Sequence, residues 1–199
     1  MLTVDVLLSA GQDEECGMAA DVSCEVQPLR EKSNRRLRVS VTHLDHMSEE
    51  QRIIQLEHIT EILSPQRRVS SDRSGDEQRS SLGIHDVVIG DMNALTRTDY
   101  SDVEWEALEQ LHASNSWSPP ASGCLDVLSR HGFVDCVLAT GQTVRALTTP
   151  AMRPRVRVDY CFVRGDGVDV EATSVLDGGG VESECLSDHL AVITDLVFH

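Results

Sequence analysis

Carboxylates and imidazoles gather in four short polar clusters along the chain: Thr42-His43-Leu44, Gly90-Asp91-Met92-Asn93, Arg157-Val158-Asp159-Tyr160 and Ser187-Asp188-His189. A carboxylate can take a proton or a hydrogen bond from an attacking water. It is also a hard oxygen ligand for a small divalent cation. An imidazole whose second nitrogen is fixed by a carboxylate presents one defined tautomer to a reacting group. Together these types suit hydrolysis assisted by a bound cation. A single Ser-Asp-His tripeptide is more often a turn or a helix cap, so the weight falls on the four clusters jointly.

The elements that must position them are legible from periodicity. Leu37, Val39 and Val41 alternate with polar partners, the period-2 pattern of a half-buried strand, which ends at His43. Ser48 with Gln51 forms a capping-box pattern, followed by Ile53, Leu56, Ile59 and Leu63 at helical spacing, which predicts a helix over 49–63. The Ser-, Arg-, Asp- and Gln-rich stretch 64–82 has too little apolar surface to order itself and reads as a flexible loop. Ile84 to Ile89 is a buried strand whose C-terminal end delivers Asp91 and Asn93. Ser101 with Glu104 opens a second helix. A short third helix near Leu125 to Arg130 stops at Gly132. Phe133 to Leu138, Val156 to Val163 and Leu190 to Phe198 read as strands. This alternation predicts an α/β arrangement, with sheet packed on sheet or helix. Residues 1–36 are poorly defined and contain two short apolar runs, readable as edge strands or disordered ends.

With 199 residues and 40% apolar content, one soluble domain is expected. The formal charge of −16 argues against a nonspecific binder of duplex DNA, whose affinity rests on lysine and arginine contacts to phosphates. It does not exclude a phosphate substrate, since a bound metal ion is the dominant charge in such a site. The six cysteines show no paired short spacing and read as thiols of a reducing compartment. With neither a basic leader nor an apolar run of bilayer length, no signal peptide and no membrane span are expected, and the location is read as intracellular, cytoplasmic or nuclear. No Gly-x-Ser-x-Gly elbow supports a serine acyl hydrolase.

The four clusters, in this order and each at a strand boundary, resemble the endonuclease/exonuclease/phosphatase superfamily over residues 37–199, including Gly132-Phe133-Val134-Asp135 and the closing Ala191-Val192 strand. The resemblance implies a DNase I-like α+β fold of two packed β-sheets flanked by helices. It also implies Mg2+- or Mn2+-dependent hydrolysis of a phosphodiester or phosphomonoester, with nucleic acid among the substrates to consider. Carried over residue by residue, it makes Asp91 the group that orients the attacking water. Asn93 becomes a donor to a phosphate oxygen that adds no negative charge. Asp188 becomes the metal ligand, and His189, held by Asp159, faces the scissile phosphate. His43 matches the family's second histidine, which contacts phosphate or assists the leaving group. Arg97 and Tyr100 follow in a loop that could line the cleft, whereas Tyr160 reads as packing. Asp45 and His46 belong to the entry of the first helix.

The chain departs from the family upstream of His43. The asparagine and the metal-holding glutamate supplied by the family's first strands have no match there. The domain is therefore expected to be N-terminally incomplete, with weakly bound metal and impaired activity. The alternative is a noncatalytic fragment or pseudoenzyme acting as an interaction domain. Truncation should also leave one sheet with an open edge and part of an apolar face exposed.

Overall fold

The computed structural model describes residues 2–7, 36–64, 84–141, 145–176 and 187–199. Its central sheet has the order β1-β2-β3-β5-β4, formed by Leu2–Leu7, Arg36–His43, Ile84–Asp91, Asp159–Arg164 and Val134–Asp135 for β1, β2, β3, β5 and β4 respectively. β2 and β3 are parallel, and the other pairs are antiparallel. A parallel pair needs a crossover, which helix α1, Glu49–Leu63, supplies. Strands β6, Val168–Val175, and β7, Val192–Phe198, form a second, two-stranded sheet. Helices α2 (Asp102–Ser114), α3 (Gly123–Arg130) and α4 (Cys136–Ala139) complete the four α-helices of the described residues.

Strand alternation sorts side chains onto two faces. On one face Val88, Tyr160 and Phe162 meet Leu56, Ile59 and Leu63 of α1 and Leu125, Val127 and Leu128 of α3. On the other, Leu37, Val39, Val87, Ile89, Cys161 and Val163 meet Val168, Val170 and Leu196 of the second sheet. The result is a sandwich of two sheets with helices outside. Buried Asp86 on β3 pairs with Arg38 of β2 and Arg164 of β5, and both arginines also donate to the carbonyl of Leu63. A three-strand ion cluster thus satisfies the Leu63 carbonyl at the C-terminal end of α1.

Helix α1 begins as the capping pattern predicts, with Ser48 Oγ accepting from the Gln51 amide. At α2 both halves of the capping box, Ser101 and Glu104, are present. Gly132 takes φ +80° two residues beyond α3. The segment expected as a strand from Phe133 to Leu138 is different. Only Val134–Asp135 is extended, and Cys136–Ala139 turns into a helix because Asp135 accepts from the Val137 amide as its N-cap. The strand expected from Val156 begins at Asp159, and that expected from Leu190 begins at Val192. Strand β6 had no counterpart among the expected elements, although Val168 and Val170 alternate with Asp169 and Glu171. The loop expected over 64–82 lies, after Ser64, outside the described residues. Within the N-terminal 36 residues, Leu2–Leu7 joins the central sheet as an edge strand. Val41 and Ile193 are 46% and 44% exposed. Cys124, Cys136 and Cys161 are buried free thiols.

Candidate active site

Register builds the site. His43 stands opposite Asp91 in the β2–β3 ladder, and Asp91 stands opposite Asp159 in the β3–β5 ladder. All three share the strand parity of Leu37, Val39, Val87, Ile89, Cys161 and Val163. They therefore form a row across one end of the central sheet, on the face turned toward the second sheet. The ladders continue past the row through Leu44 N to Asp91 O at 2.9 Å and Met92 N to Val158 O at 2.8 Å, which fixes the backbone on both sides. Gly90 lies directly before Asp91 with φ +140°, and a Cβ there would sit 1.9 Å from the Thr42 carbonyl oxygen. A glycine at this position permits the close approach of β2 and β3 beside the row.

Each group is held. Asp91 Oδ1 accepts from the Asn93 amide at 2.8 Å, and its Oδ2 lies 3.4 Å from His43 Nε2. The Asp91 side chain is only 14% exposed, whereas that of His43 is 74% exposed. Burial pushes the Asp91 carboxyl upward from its usual pKa. The Asn93 amide opposes this, the neighbouring Asp159 charge reinforces it, and the two histidines oppose it. Asn93 adopts φ +47° and donates one side-chain N–H to the Leu44 carbonyl at 3.0 Å, which leaves its second N–H for another partner. His189, in the segment before β7, places Nδ1 at 2.8 Å from Asp159 Oδ2. With the proton on Nδ1, that bond fixes the ring and leaves Nε2 available. Asp91, Asp159 and His189 each offer one ligand atom, all within 4.8 Å of one another. Among the described residues this is the one His, Cys, Asp and Glu group so disposed.

Of the residues picked out in the sequence, the structure brings His43, Asp91, Asn93, Asp159 and His189 together. Asp188 adjoins them in sequence, but its side chain is outside the converging group and the residue is exposed. Its carbonyl accepts from Ala151 N at 2.7 Å and from Thr149 Oγ1 at 3.1 Å. The partner of Asp159 is His189 rather than one of the arginines nearby. Arg157 is buried and pairs with Asp99 and Asp135 while stacking over Tyr160. Arg97 is bonded to the Tyr100 carbonyl and to Asp102, and Tyr100 is buried. Tyr160 is buried, with its hydroxyl donating to main-chain carbonyls. Asp45 accepts from the amides of Met47 and Ser48 at the entry of α1, which lowers its pKa. Buried Thr148, whose hydroxyl accepts from the Asp159 amide, was not among the residues picked out. A lone threonine in an irregular stretch carries no sequence signal.

Two carboxylates and one imidazole, with no thiolate in the group, are a donor set that could hold a hard divalent ion. Such ions are held through one or two carboxylates and otherwise by water and substrate phosphate.

No protein-family profile matches the chain, and no curated protein matches it by sequence. Solved structures do. A mannosyl-6-phosphatase from Bacteroides thetaiotaomicron is 15% identical with TM-score 0.50, and the match covers 83% of this chain and 53% of that one. An endonuclease/exonuclease/phosphatase family protein from the same organism is 16% identical with TM-score 0.51, covering 85% and 53%. Another such protein, from Bacteroides vulgatus, is 18% identical with TM-score 0.50, covering 84% and 51%. The chain has the two-sheet α+β fold of these DNase I-like structures and spans about half their length. Among the described residues no helix is long and apolar enough to cross a membrane.

Proposed function

We propose that this chain carries the catalytic row of a metal-dependent phosphoester hydrolase of the endonuclease/exonuclease/phosphatase kind, with residues 37–199 as part of that domain. The observation that carries the reading is the alignment of His43, Asp91 and Asp159 across three adjacent strands, with His189 bonded to Asp159. The fold shared with a mannosyl-6-phosphatase supports it.

Asp91, largely buried and raised in pKa, accepts a hydrogen bond from an attacking water and aligns it with phosphorus. Asn93 offers its free amide N–H to a nonbridging oxygen without adding charge. Asp159 holds the His189 ring so that Nε2 faces the phosphate. His43, exposed at the end of β2, contacts a phosphate or leaving-group oxygen. Asp188, with a carboxylate of the row, would hold Mg2+ or Mn2+, which when bound neutralises phosphate charge. Within this reading the acidic chain favours a small phosphoester or a nucleic-acid end over long duplex DNA.

The test is hydrolysis of bis-p-nitrophenyl phosphate by the purified chain in Mg2+ or Mn2+. Turnover is expected to be abolished by EDTA and to fall about 100-fold or more in His189→Ala and Asp91→Ala. Asp188→Ala should instead raise the Mg2+ concentration needed for half-maximal rate. Absence of turnover in a demonstrably folded sample, or equal rates in all three variants, would overturn the assignment.

A further inference from the structure

Two halves of the Asp159–His189 pair come from separate segments, the start of β5 and the segment before β7, and one buried threonine touches both. Thr148 is 0% exposed. Its Oγ1 accepts from the backbone amides of Val158 at 3.3 Å and Asp159 at 3.4 Å. Its own carbonyl accepts from Leu190 N at 2.8 Å, the residue next to His189. Its amide donates to Val156 O at 2.8 Å, which closes a small hairpin with the Thr149–Val156 bridge. The same hairpin reaches Asp188, whose carbonyl accepts from Ala151 N and Thr149 Oγ1. The segment 148–151 is thus laid between the two segments that carry the dyad, and it is bonded to each.

We infer that Thr148 is a positioning residue that sets the Asp159 carboxylate against His189 Nδ1, acting through both backbones rather than on substrate. The hydroxyl is the specific element. Leu190 is held by a main-chain carbonyl that any residue offers, but only a side-chain oxygen at this position can receive the Val158 and Asp159 amides. Valine has nearly the same shape and lacks that oxygen, whereas serine keeps it. The step to turnover rests on the phosphoesterase reading; the positioning itself does not.

The experiment compares Thr148→Val, Thr148→Ser and Thr60→Val. Thr60 is an equally buried threonine within α1, bonded to the carbonyls of Leu56 and Glu57 and absent from the dyad's contacts. Three readouts are taken: backbone amide exchange at Val158, Asp159 and Leu190, the NMR signal of the His189 Nδ1 proton, and hydrolysis of bis-p-nitrophenyl phosphate in Mg2+. In Thr148→Val, exchange at Val158 and Asp159 is expected to rise about tenfold or more, the Nδ1 proton signal should broaden or vanish, and kcat should fall about 10- to 100-fold with little change in KM. Thr148→Ser should restore all three, and Thr60→Val should lower Tm without touching the His189 signal. If Thr148→Val and Thr60→Val behave alike in exchange and in the His189 signal, Thr148 is merely structural and the inference falls. If the wild type hydrolyses nothing while the exchange and NMR changes remain specific to Thr148→Val, the positioning stands and the phosphoesterase reading falls.

Discussion

Substitution of Gly90 by alanine tests the claim that strand register makes the site. Gly90 pairs with Thr42, one step before His43 and Asp91. Its added Cβ would lie 1.9 Å from the Thr42 carbonyl oxygen, where real Cβ atoms essentially never come within 3.0 Å, so the two backbones must part by more than an ångström. At φ +140° a side chain also costs backbone strain of about 1–3 kcal/mol. Forcing the extra group between packed backbones adds about 1–3 kcal/mol. A loss near 4 kcal/mol corresponds to a drop in Tm of about 8–16 °C for a chain of this size. The same displacement opens the 3.4 Å gap between His43 and Asp91, and a misplacement of about 1 Å lowers turnover about 100-fold. Gly132→Ala is the control. It also sits at positive φ, but its Cβ would meet only Arg164 Cδ at 3.7 Å, an ordinary van der Waals contact. It should cost about 1–2 kcal/mol and leave turnover intact. Thermal melts and initial rates of both variants decide the matter. A Gly90→Ala protein that melts and turns over like Gly132→Ala would refute the argument that close approach of β2 and β3 sets the row.

Two further outcomes follow from buried charge. Burial raises the Asp91 pKa above its ordinary value near 3.8, so the ionised carboxylate disfavours folding, and this cost is present at neutral pH and absent once both folded and unfolded states are protonated. Asp91→Asn, which retains an oxygen for the Asn93 amide, should therefore raise Tm at pH 7.5 in EDTA while abolishing turnover. The gain should shrink as pH falls through the raised native pKa toward 3.8, and fluorescence melts across that range that show no gain at pH 7.5 would contradict the burial account. Arg157→Met should cost about 3–5 kcal/mol in urea unfolding, because Asp99 and Asp135 lose their shared cation. Changing both aspartates to asparagine in that background should restore much of the loss; no restoration would place the cost in the lost stacking on Tyr160 instead.

How much of this was readable from the chain alone divides along a physical line. Local signals were legible: the Ser48 and Ser101 caps, the α1 face of Leu56, Ile59 and Leu63, and the strand parity of Leu37, Val39 and Val41 all depend on neighbours within a few residues. Parity also bears on the site, since residues an even number of positions apart on one strand share a face, and His43 follows Val41 as Asp91 follows Ile89. Long-range pairings were not legible. No residue near Phe133 announces that Asp135 will be drawn to Arg157, 22 positions away, yet that ion pair and the Val137 amide convert an apolar run of strand-like residues into a helical turn. The pairing of Asp159 with His189 rather than with an adjacent arginine has the same cause, because Arg157 is already taken by Asp99 and Asp135. Thr148 lies at the far end of this scale. Every bond that gives it meaning is made with Val156, Val158, Asp159 or Leu190, so its role exists only after the hairpin closes and the segment before β7 comes back across it. Residues that do chemistry can be picked out by type, whereas those that hold them in place are defined by the fold.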